Sequence, residues 1–168
     1  MPRRIFKGIK GDDRKPLTER KAVEHYGRIV LKEVYPLVGN KTTYLSDLQR
    51  AGRKLLGNKF HGVYPSDHIP RLNDIRPYAI LNLDRSTESG SHWIAIGKIP
   101  NEDKVVVYDS FGRASGSIIA PLQFSGNGRI VDADRDPEQK PKETNCGARS
   151  LGWLCVFDRY GWKTAQKI

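Results

Sequence analysis

Three short β-rich runs follow one another with only brief polar links: Tyr78-Ala-Ile-Leu-Asn-Leu, Ser91-His-Trp-Ile-Ala-Ile-Gly and Lys104-Val-Val-Val-Tyr-Asp. The links Arg85–Gly90 and Ile99–Asp103 are too short to hold a crossover helix. They suit hairpins, so the three runs are expected to form consecutive antiparallel strands. Gly128–Ala133 reads as a fourth strand, after a weakly patterned stretch at 112–127. Helical periods flank this block. Ala22, Val23, Tyr26, Ile29, Val30 and Val34 recur at helical spacing, predicting a helix over Leu17–Leu37 with Thr18 as N-cap and Pro36 marking its end. A second helix is predicted over Thr43–Leu56, with Leu45, Leu48, Leu55 and Leu56 as its stripe and Gly57 as its stop. Asn58–Arg76 reads as loop, Asp134–Thr144 as a charged loop, and Asn145–Tyr160 as a helix buried on much of its surface. No internal repeat is visible. The expectation is α+β, a mostly antiparallel or mixed sheet flanked by helices, in one domain over 17–168 with a basic, mobile arm at 1–16.

Charge is unevenly placed along the 168 residues. Residues 1–60 carry 15 Lys/Arg against 6 Asp/Glu, while residues 61–168 carry 14 against 13. A basic N-terminal third suits a polyanion such as DNA, and equally suits a solvated, solubilising surface, since its cations are scattered and not run together. No stretch approaches the roughly 20 apolar residues of a membrane span, and no apolar h-region follows the basic N-terminus. Two cysteines without a Cys-x-x-Cys argue against a disulfide scaffold or a thiolate zinc cluster. His61 and His68 with two distant cysteines do not make a zinc site either. An intracellular or virion protein with reduced thiols is the expectation, with no metal or other cofactor required.

Four groups in chain order could carry chemistry: His92 on a strand, Asp109 at the end of the next strand, Gln139 in a loop, and Cys146 at a helix start. A thiolate nucleophile is favoured by the unpaired N–H groups and dipole of a helix N-terminus. An imidazole takes the thiol proton and later protonates the leaving amine. A carboxylate orients the imidazole, and a side-chain amide with the nucleophile's own N–H can bind the oxyanion. Asp109 could instead simply end its strand, since Asp-Ser-Phe-Gly is good turn chemistry. Gln139 shares its loop with Glu138 and Glu143, which compete for the assignment. Cys155 reads as core packing. It lies nine residues beyond Cys146, which on a helix is about 13.5 Å and the opposite face, so the two cannot be bridged. His25 reads as surface or structural, like His61 and His68, and Trp153 and Trp162 as packing residues.

The segments YAILNLDRSTESGSHWIAIGKIPNEDKVVVYDSFG and QKPKETNCGARSLGWLCVFDRYG, with TYLSDLQ and GNKFHGVYPSDHIP before them, resemble the adenovirus maturation protease (adenain) family and its relatives in virophages and polinton-like viruses. They are more distantly similar to the SUMO-deconjugating proteases. The likeness spans about residues 43–161. The order His, acid, Gln, Cys belongs to this clan, whereas papain-like enzymes place the Cys first. The resemblance implies a cysteine endopeptidase with Cys146 as nucleophile, His92 as base, Asp109 as orienter and Gln139 as oxyanion donor. Trp93 would pack beside the site and contribute backbone, and Gly147 would let substrate approach closely. Substrates would be capsid or core precursor proteins cut near Gly, with DNA or a peptide as a possible activator, in the virion and the host cell's virus factory or nucleus. The acid is Asp109, as on the SUMO-protease side, where adenain-type enzymes often have Glu. The helix at 17–40 is extra to the resemblance, and is expected to occupy surface that the family's C-terminal helices cover. Deconjugation of ubiquitin-like modifiers, and a non-enzymatic DNA-binding or capsid-associated role, are the alternatives.

Overall fold

In the computed structural model, which describes residues 14–65, 67–68, 70, 77–82, 92–102, 104–112, 129–133 and 144–168, Thr18 caps the first helix as its sequence context suggests. Its hydroxyl accepts from the Lys21 N–H, and α1 runs over Glu19–Ile29. The helix does not stop at Pro36. It widens into a π turn at Val30–Val34 and continues as α2, Tyr35–Val38, before Gly39 ends it at φ +78°. Proline has no N–H, and in an α-helix its ring strikes the carbonyl four residues back. The wider turn, in which the Tyr35 N–H reaches back to the Val30 carbonyl, makes room for it.

Helix α3 spans Leu45–Leu56 and not Thr43–Leu56. Its packed stripe is Leu48, Ala51, Gly52, Leu55 and Leu56, whereas Leu45 at its start points outward. A strand then appears where a loop was expected: β1, Phe60–Tyr64. It lies at the sheet edge, and its register shifts between Phe60 and Gly62. The Gln49 side chain of α3 accepts the Val63 N–H at 3.0 Å, so this edge donor is satisfied from the helix.

The predicted runs become β2 (Tyr78–Asn82), β3 (Trp93–Lys98), β4 (Lys104–Tyr108) and β5 (Arg129–Asp132). The five strands lie in chain order across one sheet. The β2–β3 and β3–β4 pairs are antiparallel, as the short links require, while β1 and β5 join in parallel and make the sheet mixed. The link 85–90 and most of 112–127 and 134–144 fall outside the described residues.

Helix α4, Cys146–Tyr160, lies on the sheet face formed by Tyr78, Ile80, Trp93, Ala95, Val106 and Tyr108. Bare Gly97 lets the Phe157 ring sit against β3. The opposite sheet face, with Ala79, Leu81, Ile94, Ile96, Val105 and Val107, is buried as well. Burial of both faces explains why these strands read as continuous apolar runs and do not alternate. Trp153 anchors the centre of α4, stacked on Tyr108 with centroids 5.3 Å apart. Its indole N–H donates to the Ala165 carbonyl of a short helix not foreseen, α5, Trp162–Ala165.

The N-terminal helix packs on the outer side of α4. Ala22, Tyr26, Ile29, Val30 and Val34 are buried, and Gly152 of α4 has no Cβ where Val30 and Tyr26 sit. Glu33 and Arg159 pair through two hydrogen bonds of 2.6 and 2.7 Å, which hold the Glu33 carboxyl below its usual range. Arg14 donates to the carbonyls of Asp158 and Arg159 at the end of α4. The remainder of the predicted arm, residues 1–13, falls outside the described residues. No helix among the described residues is long and apolar enough to cross a membrane.

Candidate active site

Antiparallel pairing of β3 and β4 decides where the site lies. Ala95 faces Tyr108 in the register, so the residue before β3 meets the residues just after β4. His92 and Asp109 occupy those two places, 5% and 4% exposed, and His92 Nε2 lies 2.7 Å from Asp109 Oδ1. A carboxylate only accepts, so Nε2 carries the proton and Nδ1 is left as the basic atom. Nδ1 is buried and has no hydrogen-bond partner among the described residues.

Asp109 serves the turn and the imidazole together. Its carbonyl accepts the Gly112 N–H at 2.8 Å, closing the Asp-Ser-Phe-Gly turn with Gly112 at φ +72°. The Phe111 N–H donates at 2.9 Å to the same Oδ1 that receives His92. The turn reading of Asp109 and its orienting role are one arrangement. The Phe111 ring lies over the imidazole, with centroids 4.8 Å apart.

Cys146 is the first residue of α4 and 4% exposed. The Trp93 backbone N–H points at its Sγ, 3.4 Å away. One turn further along α4, the Ser150 hydroxyl donates to the Trp93 carbonyl at 3.3 Å. Both backbone polar groups of Trp93 are thus tied to α4, which fixes the strand that carries the imidazole against the helix that carries the thiol. Burial opposes a charge on His92. The hydrogen bond it donates to Asp109, the neighbouring Cys146 thiol and the Asp109 charge outweigh that cost, so the pKa of His92 is raised.

Gly147 is bare for a reason internal to the fold: a Cβ would collide with the Thr43 hydroxyl and press on Leu48 of α3. Thr43 is itself buried, and its Oγ1 has no hydrogen-bond partner among the described residues. Gln139 lies outside the described residues. The structure therefore brings His92, Trp93, Asp109, Cys146 and Gly147 together and leaves Gln139 unplaced. Cys155 is buried in the helix interior, where burial pushes its thiol up to about 12. It is free, as is Cys146. His25 packs against Tyr160, His61 bonds the Tyr64 hydroxyl, and His68 stands exposed beside Asp67.

Ser150, Phe111 and Thr43 are site residues that sequence reasoning missed. Ser150 was accessible to it, being four residues past Cys146 on the same helix face. Phe111 and Thr43 reach the site only through the turn geometry and the packing of α3. Among the described residues, no group of three or more His, Cys, Asp or Glu side chains is placed to hold a metal ion. Compared with known proteins, the chain matches no family model and no curated sequence.

Proposed function

We propose that this chain is a thiol endopeptidase of the adenain type that processes capsid or core precursor proteins during virion maturation. One juxtaposition supports this reading above the rest: a buried, hydrogen-bonded Asp109–His92 pair beside a thiol at the first residue of a helix. The Cys146 thiolate attacks the scissile carbonyl carbon, and the carbonyl electrons move onto oxygen. The His92 imidazolium protonates the leaving amine as the C–N bond breaks, which leaves a thioester on Cys146. Water then attacks the thioester with His92 accepting its proton, and the thiolate departs from the released acid. Asp109 keeps the Nε2–H turned away from the reaction, so Nδ1 carries both transfers. The Cys146 N–H, with the Gln139 amide assigned by resemblance, takes the oxyanion role.

The decisive experiment incubates purified protein with candidate precursor proteins, wild type against Cys146→Ala. Cleavage by wild type alone is expected, and equal processing by both would sink the proposal. Asp109 in place of Glu favours a second reading, deconjugation of a ubiquitin-like modifier. Release of such an adduct, with precursor peptides left intact, would establish it. The basic N-terminal third is assigned to DNA, acting as a partner in the virion and the infected cell. Turnover stimulated by DNA at low salt, and fading as salt rises, is the expected signature.

A further inference from the structure

The residue before the nucleophile does not do what its type and place suggest. Asn is a favoured N-cap, its side-chain oxygen accepting an N–H of the first helical turn. Asn145 stands at that position of α4 and makes no such bond. Its Oδ1 accepts the Arg149 Nε–H at 3.2 Å, and its Nδ2 donates to the Tyr35 hydroxyl at 2.8 Å. Arg149 only donates, so the atom facing it is the oxygen, and the amide nitrogen is left to Tyr35. Asn145 is 3% exposed, so this orientation is enforced by packing as well as by bonding. Arg149 in turn reaches the Tyr26 hydroxyl at 3.4 Å, and Tyr26 bonds the Tyr108 hydroxyl at 2.7 Å, next to Asp109.

We infer that Tyr35 is a positioning residue: it holds the Asn145 amide off the start of α4, so that the first-turn N–H groups stay available to the thiolate. The inference rests on the thiol-protease reading. A capping Asn145 would accept the N–H of Gly147 or Ala148 and so take up part of the positive helix end that favours the thiolate. By holding Nδ2, the Tyr35 hydroxyl keeps Oδ1 turned to Arg149 and away from the helix N–H groups. The residue sits just past the π turn, as the first residue of α2.

The test compares wild type, Tyr35→Phe and Tyr35→Phe/Asn145→Ala. Two readouts are used: the rate of Cys146 alkylation by iodoacetamide at neutral pH, and kcat and KM on a fluorogenic Gly-Gly peptide. Loss of one hydrogen bond of this kind predicts a drop of about 10-fold in kcat for Tyr35→Phe, with KM nearly unchanged and a parallel fall in alkylation rate. Adding Asn145→Ala removes the competing cap and is expected to recover most of that loss. A structural role alone would make the double variant worse than the single one, and that result overturns the inference. So does an alkylation rate for Tyr35→Phe equal to that of wild type. Absence of Cys146-dependent turnover in the wild type would defeat the protease reading instead, while the alkylation rates still decide the role of Tyr35.

Discussion

The Asp109 carboxylate oxygen that receives His92 also receives the Phe111 N–H, so one atom sets the imidazole's orientation and its readiness to hold a proton. In Asp109→Asn, burial is left to dominate and the pKa of His92 falls. The alkaline limb of the activity profile is then expected to move to lower pH, with kcat down by about 10²–10⁴-fold. Imidazole NMR against pH checks the first outcome and steady-state kinetics the second. Stability follows the same linkage. A folded pKa above the unfolded value of about 6.5 means the pair stabilises fully below that pH, and the contribution is lost as pH rises through the folded value. Urea unfolding should therefore separate wild type from Asp109→Asn more at pH 5.5 than at pH 9. The two cysteines should differ as sharply. With burial pushing Cys155 up to about 12, iodoacetamide is expected to label one cysteine in the native protein and both in denaturant, as counted by mass spectrometry.

At the scale of elements, the seam between the N-terminal helix and α4 is set by Gly152. A methyl there would strike Val30, so Gly152→Ala is expected to cost about 1–3 kcal/mol, and Val30→Ala in the same chain to recover part of it. Urea midpoints of the two single variants and the pair give the coupling. Elements governed by local rules were readable beforehand: the Thr18 cap, the Gly57 stop, and the strands β2, β3 and β4, whose short links demand antiparallel pairing. Those governed by distant partners were not. The strand β1 is five residues long, contains Gly62 at φ +153°, and pairs in parallel with a run more than a dozen residues away, so no hairpin turn announces it. The helix passes Pro36 only because a π turn opens ahead of it, and the buried positions of the π turn pack against α4. The site divides along the same line. His92, Asp109 and Cys146 could be picked out because each stands at the end of a readable element. Tyr35 and Thr43 approach it through packing between helices, for which no local pattern exists.

On the scale of the whole molecule, the N-terminal helix behaves as part of the domain. Its apolar residues are buried with those of α4, Leu17 donates to the Thr164 hydroxyl, and Lys167 reaches the Leu17 carbonyl. Each Ile or Val buried in this way is worth about 1.5–3 kcal/mol. Removing residues 1–38 is therefore expected to abolish cooperative thermal unfolding or solubility, as followed by circular dichroism. A soluble, cooperatively folding truncation would show the helix to be an accessory. The β3–β4 hairpin has a different consequence. Its register acts as a ruler that measures imidazole to carboxylate from a turn at the far end of the strands, about 20 Å off. A residue inserted beside Asn101, at the exposed tip, leaves the ruler's scale untouched and should leave turnover intact. The same residue inserted between Val106 and Val107 would offset Asp109 by one position and turn it to the other face of the sheet.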